Sequence, residues 1–98
     1  WFHCHLDYSC LKEIADATDV ALVLHGGSGV GDDQIKEAIK AGITKINFGT
    51  DVCCSFLNTV FDTSRDLIAI DLFMKDAIKA VSAFATEKIK LLGAENKA

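Results

Sequence analysis

The residues best equipped for chemistry are His25-Gly26-Gly27-Ser28-Gly29-Val30-Gly31. A histidine closes the apolar run Val20 to Leu24, and four glycines and a serine follow it. Glycine lets backbone N–H groups approach an anion with no side chain in the way. A helix start just beyond adds unpaired N–H donors and the positive end of a dipole. Ser28 adds a hydroxyl, so a phosphate is the natural ligand. An imidazole at that rim can serve acid–base work or bind a metal. Both features also have plainer readings: the glycines as a tight turn only, and His25 as a hydrogen-bonded core histidine. A second turn, Asn47-Phe48-Gly49-Thr50, closes the next apolar run and offers an amide, a hydroxyl and an open backbone at the equivalent level. Asp51 beside it repels an anion unless it points away and stabilises a helix start.

These side chains need strands to deliver them and helices to follow. Asp7 or Ser9 can cap a helix to about Ala17, with Leu11, Ile14 and Ala15 as its inner face. Thr18-Asp19 ends it. Val20–Leu24 has no polar alternation and reads as a strand covered on both faces, with His25 at its end. Asp32 or Asp33 caps the next helix, whose inner stripe is Ile35, Ala38 and Ile39. Gly42 stands where a left-handed residue after a helix is wanted. Ile43–Phe48 reads as the second strand, and Thr50 or Asp51 opens a helix carrying Val52, Phe56 and Val60. Asp62 to Asp66 is a polar break. A long amphipathic helix over about 67–92 follows, with Leu67, Ile70, Met74, Ile78, Val81, Ala85, Ile89 and Leu92 as its apolar stripe. The order β-loop-α-β-loop-α builds parallel sheets. Two strands do not make a stable sheet, so these units call for neighbours. In (β/α)8 barrels, phosphate sites are frequently built by the loops after the last two strands, which suits two glycine-bearing βα turns in tandem.

Composition excludes several classes. Half of the 98 residues are hydrophobic, too many for a disordered chain. A net charge of −4 argues against nucleic acid or an anionic membrane as the main partner. No apolar run approaches the ~18 residues a membrane span needs, and Trp1-Phe2-His3-Cys4-His5 has no leader pattern. The start at Trp1 suggests the tail of a longer protein, and Gly93 to Ala98 is small and polar, as chain ends often are. Cys4, Cys10, Cys53 and Cys54 show no framework spacing, which points to reduced thiols and a cytoplasmic location. His3, Cys4, His5 and Cys10 contain zinc-ligand types but lack finger spacing.

Leu24-His25-Gly26-Gly27-Ser28-Gly29-Val30, Ile35-Lys36-Glu37-Ala38-Ile39 and Gly42-Ile43-Thr44-Lys45-Ile46-Asn47 together resemble the C-terminal part of class II, zinc-dependent ketose-bisphosphate aldolases, especially those acting on fructose and tagatose bisphosphates. Leu6-Asp7-Tyr8 with Leu11-Lys12-Glu13-Ile14 resembles the helix before the first strand. Asp76-Ala77-Ile78-Lys79 and Gly93-Ala94 resemble the closing helix and tail. The resemblance covers residues 6–98. It implies an α/β fold: the last two βα units of a (β/α)8 TIM barrel plus the closing helix, with 1–98 as one partial domain. It implies that His25 is one of three zinc-ligating histidines, that Gly26, Gly27 and Ser28 bind the dihydroxyacetone phosphate moiety, and that Asn47, Phe48, Gly49 and Thr50 form the second segment on it. The cofactor is then Zn2+, supplying Lewis-acid chemistry for reversible aldol cleavage. The partner is a phosphorylated sugar, and the parent protein is a homodimer or homotetramer.

The departures from the family pattern are specific. The other two zinc histidines and the catalytic aspartate would lie upstream, so no catalytic residue is assigned within this chain, and His3 and His5 match neither ligand. Gly31 replaces a usual proline, and Cys53-Cys54 replace a stretch that often holds an arginine. Residues 62–72 match loosely. Lys75 falls where some relatives place an arginine that reaches a neighbouring subunit's substrate. Alternatives are a non-catalytic truncated or interaction fragment using the 67–92 stripe, and a dinucleotide-binding βαβ unit. The latter is set against by G-x-G-x-x-G falling out of register at Asp32.

Overall fold

A computed structural model describes residues 5–97, so His3 and Cys4 lie outside the described residues. The described chain is an α/β fold of four helices and two parallel strands: α1 (Tyr8–Ala17), β1 (Leu22–Leu24), α2 (Asp32–Lys40), β2 (Ile43–Ile46), α3 (Thr50–Asp62) and α4 (Ile70–Leu91). It divides into two compact units, Trp1–Gly49 and Thr50–Ala98. No helix among the described residues is long and apolar enough to cross a membrane.

In the first unit, α1 starts where Asp7 caps it: the carboxylate accepts from the Cys10 amide at 3.1 Å. Asp7→Ala should therefore cost about 1 kcal/mol, read as a lower urea midpoint with reduced helicity. The other expected cap is different. Gly31, in extended conformation, occupies the N-cap of α2 without a side-chain bond, and Asp32 and Asp33 sit in the first turn. Carboxylates there still favour the helix through its dipole. At the other end of α2, Gly42 has φ +119 and donates to the Ile39 carbonyl at 3.1 Å. A Cβ on it would come within 3.1 Å of the Ala15 Cβ, so glycine here both turns the chain and lets α1 approach.

The inner stripe of α2 is as the periodicity implies: Ile35 and Ala38 are fully buried, joined in the core by Val30 and Ile43. Both strands are shorter than the apolar runs that hold them. Val20 is 73% exposed and outside β1, and β2 stops at Ile46 rather than at Phe48. The strands pair in parallel as Leu22↔Ile43, Val23↔Lys45 and Leu24↔Ile46, so Thr44 is the extra residue. Its hydroxyl donates to the Leu22 carbonyl at 3.0 Å, tying the irregular step to β1. Within the first unit the described residues do not cover both faces of β1. Val23 is 40% exposed, because α2 covers one side only and two strands leave an edge on each flank.

In the second unit α4 packs along α3. Three hydroxyls of α3 and its end, on Ser55, Thr59 and Thr63, bond back to carbonyls of the preceding turn, which removes their polar cost from a half-buried surface. α4 begins at Ile70, three residues later than the expected start at 67. Its buried side centres on Ala77, with Phe73, Ala80, Val81 and Phe84 half-buried around it. The expected stripe lies to one side of this: Ile70, Ile78 and Ile89 are exposed, while Met74, Val81 and Leu92 are half-buried. The small Ala77 and Ala80 allow close approach of a neighbour. Hydrophobicity alone weights the large isoleucines and puts the stripe on them instead.

Candidate functional site

The first unit brings the two sequence turns together at one end of the parallel pair. The Asn47 amide donates to the Leu24 carbonyl at 3.1 Å, and the Gly27 amide donates to the Asn47 carbonyl at 3.0 Å. The two strand ends therefore continue their pairing past β1 and β2 and hold the loops side by side. His25 lies one residue beyond β1, exposed, rather than inside the strand. Asn47, Phe48 and Gly49 follow β2, and Thr50 is the first residue of α3 in the second unit.

Each glycine of the loop has its own physical reason. Gly26 and Gly29 have φ +70 and +78, a region where a Cβ is strained, but open space surrounds both. Gly27 has an ordinary φ and no room. A Cβ there would stand 2.5 Å from the Ile46 Cγ2, 3.1 Å from the Asn47 carbonyl oxygen and 3.2 Å from the Phe48 ring. Its amide is also committed to Asn47, and the Val30 amide bonds the Gly27 carbonyl at 3.3 Å. Gly27 therefore shapes the loop, and its N–H is not available to an anion. That close approach was not legible as such. A glycine run reads as donors, and the neighbour it must clear lies on another strand.

The electrostatics are uneven. Asp32 and Asp33 already occupy the positive end of α2, which opposes a second anion at that turn. Asp51 sits in the first turn of α3, as a helix-stabilising role requires. On α2, Lys40 donates to Glu37 at 2.7 Å, and that bond and charge raise its pKa. A concave surface of roughly 550 Å3 is lined by residues of α4 such as Lys79, Thr86 and Lys90, all on one helix.

The contact that sequence reasoning missed is between side chains. The Asn47 Nδ2 stands 3.0 Å from the His25 Nδ1, across 22 residues. The available signal was the equivalent level of the two strand ends, which makes residues one step past each strand neighbours. As a zinc donor set the described residues do not suffice. Among them no three His, Cys, Asp or Glu side chains gather, and His25 is one donor where catalytic zinc takes about three from protein. Cys10, Cys53 and Cys54 are free thiols, exposed and away from any such cluster.

The sequence profile of the family described as "Fructose-bisphosphate aldolase class-II" matches residues 2–97. The chain is 42% identical to the YdjI protein of Escherichia coli K12 over 93 residues, covering 95% of this chain and 33% of that protein. It is 35% identical over 106 residues to a fructose-bisphosphate aldolase of Streptococcus pneumoniae (strain TIGR4), covering 95% of this chain and 36% of that enzyme. The X-ray structure of the YdjI aldolase superposes with a TM-score of 0.88 at 40% identity, over 96% of this chain and 36% of that one. The chain thus spans about a third of the length of the relatives it matches.

Proposed function

We propose a function for this chain from one premise: it belongs to the class II fructose-bisphosphate aldolase family. In this reading residues 1–98 are one partial domain, the last two βα units of a (β/α)8 TIM barrel with its closing helix. The parent protein is a lyase of the cytoplasm, a homodimer or homotetramer. It cleaves fructose 1,6-bisphosphate or tagatose 1,6-bisphosphate reversibly to dihydroxyacetone phosphate and glyceraldehyde 3-phosphate. The present chain supplies the handle for the phosphate. Gly26 and Ser28 offer donors, Gly27 lets the two turns meet closely, and Asn47, Phe48 and Gly49 form the second wall, with Thr50 next in the chain. His25 supplies one ligand to Zn2+, and the remaining donors must come from outside the described residues.

The observation that carries this reading is the Gly27–Asn47 backbone bond at 3.0 Å. It makes two separate glycine turns into one rim, next to an imidazole, at the strand end where barrel ligands gather. An anion site built of amides and a hydroxyl on two adjacent βα turns suits a phosphoryl group.

The test is a titration of the 15N-labelled chain with dihydroxyacetone phosphate, followed by amide shifts. Changes are expected at Gly26, Ser28 and Gly29 and at Gly49 and Thr50, with inorganic phosphate giving the same pattern more weakly. Shifts confined to lysines of α4, or none, would overturn the assignment. With zinc and fructose 1,6-bisphosphate the same chain is expected to show no cleavage, since one histidine cannot hold catalytic zinc. Zinc-dependent product formation by the isolated chain would remove that part of the reading.

A further inference from the structure

We propose that Cys53 and Cys54 form a dithiol site on α3 that holds one thiophilic atom, trivalent arsenic, between their two sulfurs. Nowhere else in the sequence do two cysteines stand side by side. They are the fourth and fifth residues of α3, and both thiols are free and exposed. The pair departs from the family pattern, in which this stretch often holds an arginine.

Helix geometry decides what two such thiols can do. Neighbouring Cα atoms stand about 3.8 Å apart, short of the roughly 4.4–6.8 Å that a disulfide spans. Successive side chains also point roughly 100° apart around the axis, which parts the two Cβ atoms by about 5 Å, too wide for a direct S–S bond. While α3 stands, Cys53 and Cys54 therefore cannot oxidise onto each other and both remain thiols. One large atom placed between the sulfurs adds a bond to the link and fits that gap. Leu57 and Phe61, four and eight residues beyond Cys53, are exposed on the same side of α3, while Val52, Phe56 and Val60 are half-buried. They offer an apolar surface to an aryl group carried on the arsenic.

The reaction needs no oxidant. With phenylarsine oxide, two As–S bonds form and the arsenic–oxygen bond breaks. The oxygen leaves as water with the two thiol protons, and arsenic stays trivalent. Once one sulfur is bonded, the second attacks at the high effective concentration of a tethered group. A monothiol in solution then displaces the arsenic poorly, whereas a competing dithiol removes it. A single exposed thiol such as Cys10 has no such protection. Occupancy here is independent of phosphate binding in the first unit.

The experiment loads the reduced 98-residue chain with phenylarsine oxide and reads intact mass after 2-mercaptoethanol, then after 2,3-dimercaptopropanol. One arsenical per chain should survive the monothiol and leave with the dithiol. Cys53→Ser and Cys54→Ser should each lose the surviving adduct, and Cys10→Ser should keep it. Circular dichroism should show the same helical content before and after loading and in all three variants. A wild-type chain with no monothiol-resistant adduct overturns the proposal. So does an adduct that survives in either pair variant, or a loss of helicity on loading, which would mean that the arsenic is held only when α3 unwinds.

Discussion

Gly27→Ala is expected to destabilise the first unit by about 1–3 kcal/mol, the usual cost of forcing a methyl group into occupied space. The added carbon would meet the Ile46 side chain at 2.5 Å and, at 3.1 Å, a carbonyl oxygen that cannot swing away. That oxygen is the Asn47 carbonyl, which accepts the Gly27 amide, so relieving the clash lengthens the bond that joins the two turns. Gly26→Ala and Gly29→Ala differ in kind. They meet nothing within 4 Å and cost only the positive-φ strain, roughly 1–2 kcal/mol. Extending the series from alanine to leucine separates the two causes: the penalty should climb at position 27 and stay level at 26 and 29. Urea melts of the six-variant set read this directly. A Gly27→Ala protein as stable as the wild type would mean that the strand ends are not as closely apposed as described.

Ile35→Ala should cost more, about 2–5 kcal/mol, the range for emptying a buried aliphatic site. Ile35 has no exposed surface, and its neighbours in the core are few: Val30, Ala38 and Ile43. A core that small cannot share out a cavity, and the whole stability of a domain this size is only a few times larger. Loss of a cooperative transition for residues 1–49 is the expected result, seen by hydrogen exchange or by tertiary-structure probes. Ile68→Ala is the matched control. At 95% exposure the same chemical change should fall within about 0.5 kcal/mol of neutral. Equal effects at the two positions would refute the described core.

Local rules carried much of this fold into view. The Asp7 cap, the left-handed Gly42 and the Ile35–Ala38 stripe each depend on residues within a turn or two of one another, so spacing alone reveals them. The family is equally legible, because His25-Gly26-Gly27-Ser28-Gly29 and Lys45-Ile46-Asn47 combine residue types that ordinary packing does not require at that spacing.

What depended on partners far along the chain was hidden. The strands end early because pairing, not hydropathy, sets their length, and only three residues of β1 find partners. The buried side of α4 turns on the small Ala77, whereas the sequence pattern follows the bulky Ile70, Ile78 and Ile89, which are left in solvent. The sequence by itself determined that a histidine and a glycine loop stand at one strand end and an asparagine at the next. Only the tertiary structure decided that Gly27 is there to clear Ile46 and that the Asn47 carboxamide meets the His25 ring. Both depend on parallel pairing that brings residues far apart in the chain into contact, which no local pattern can encode.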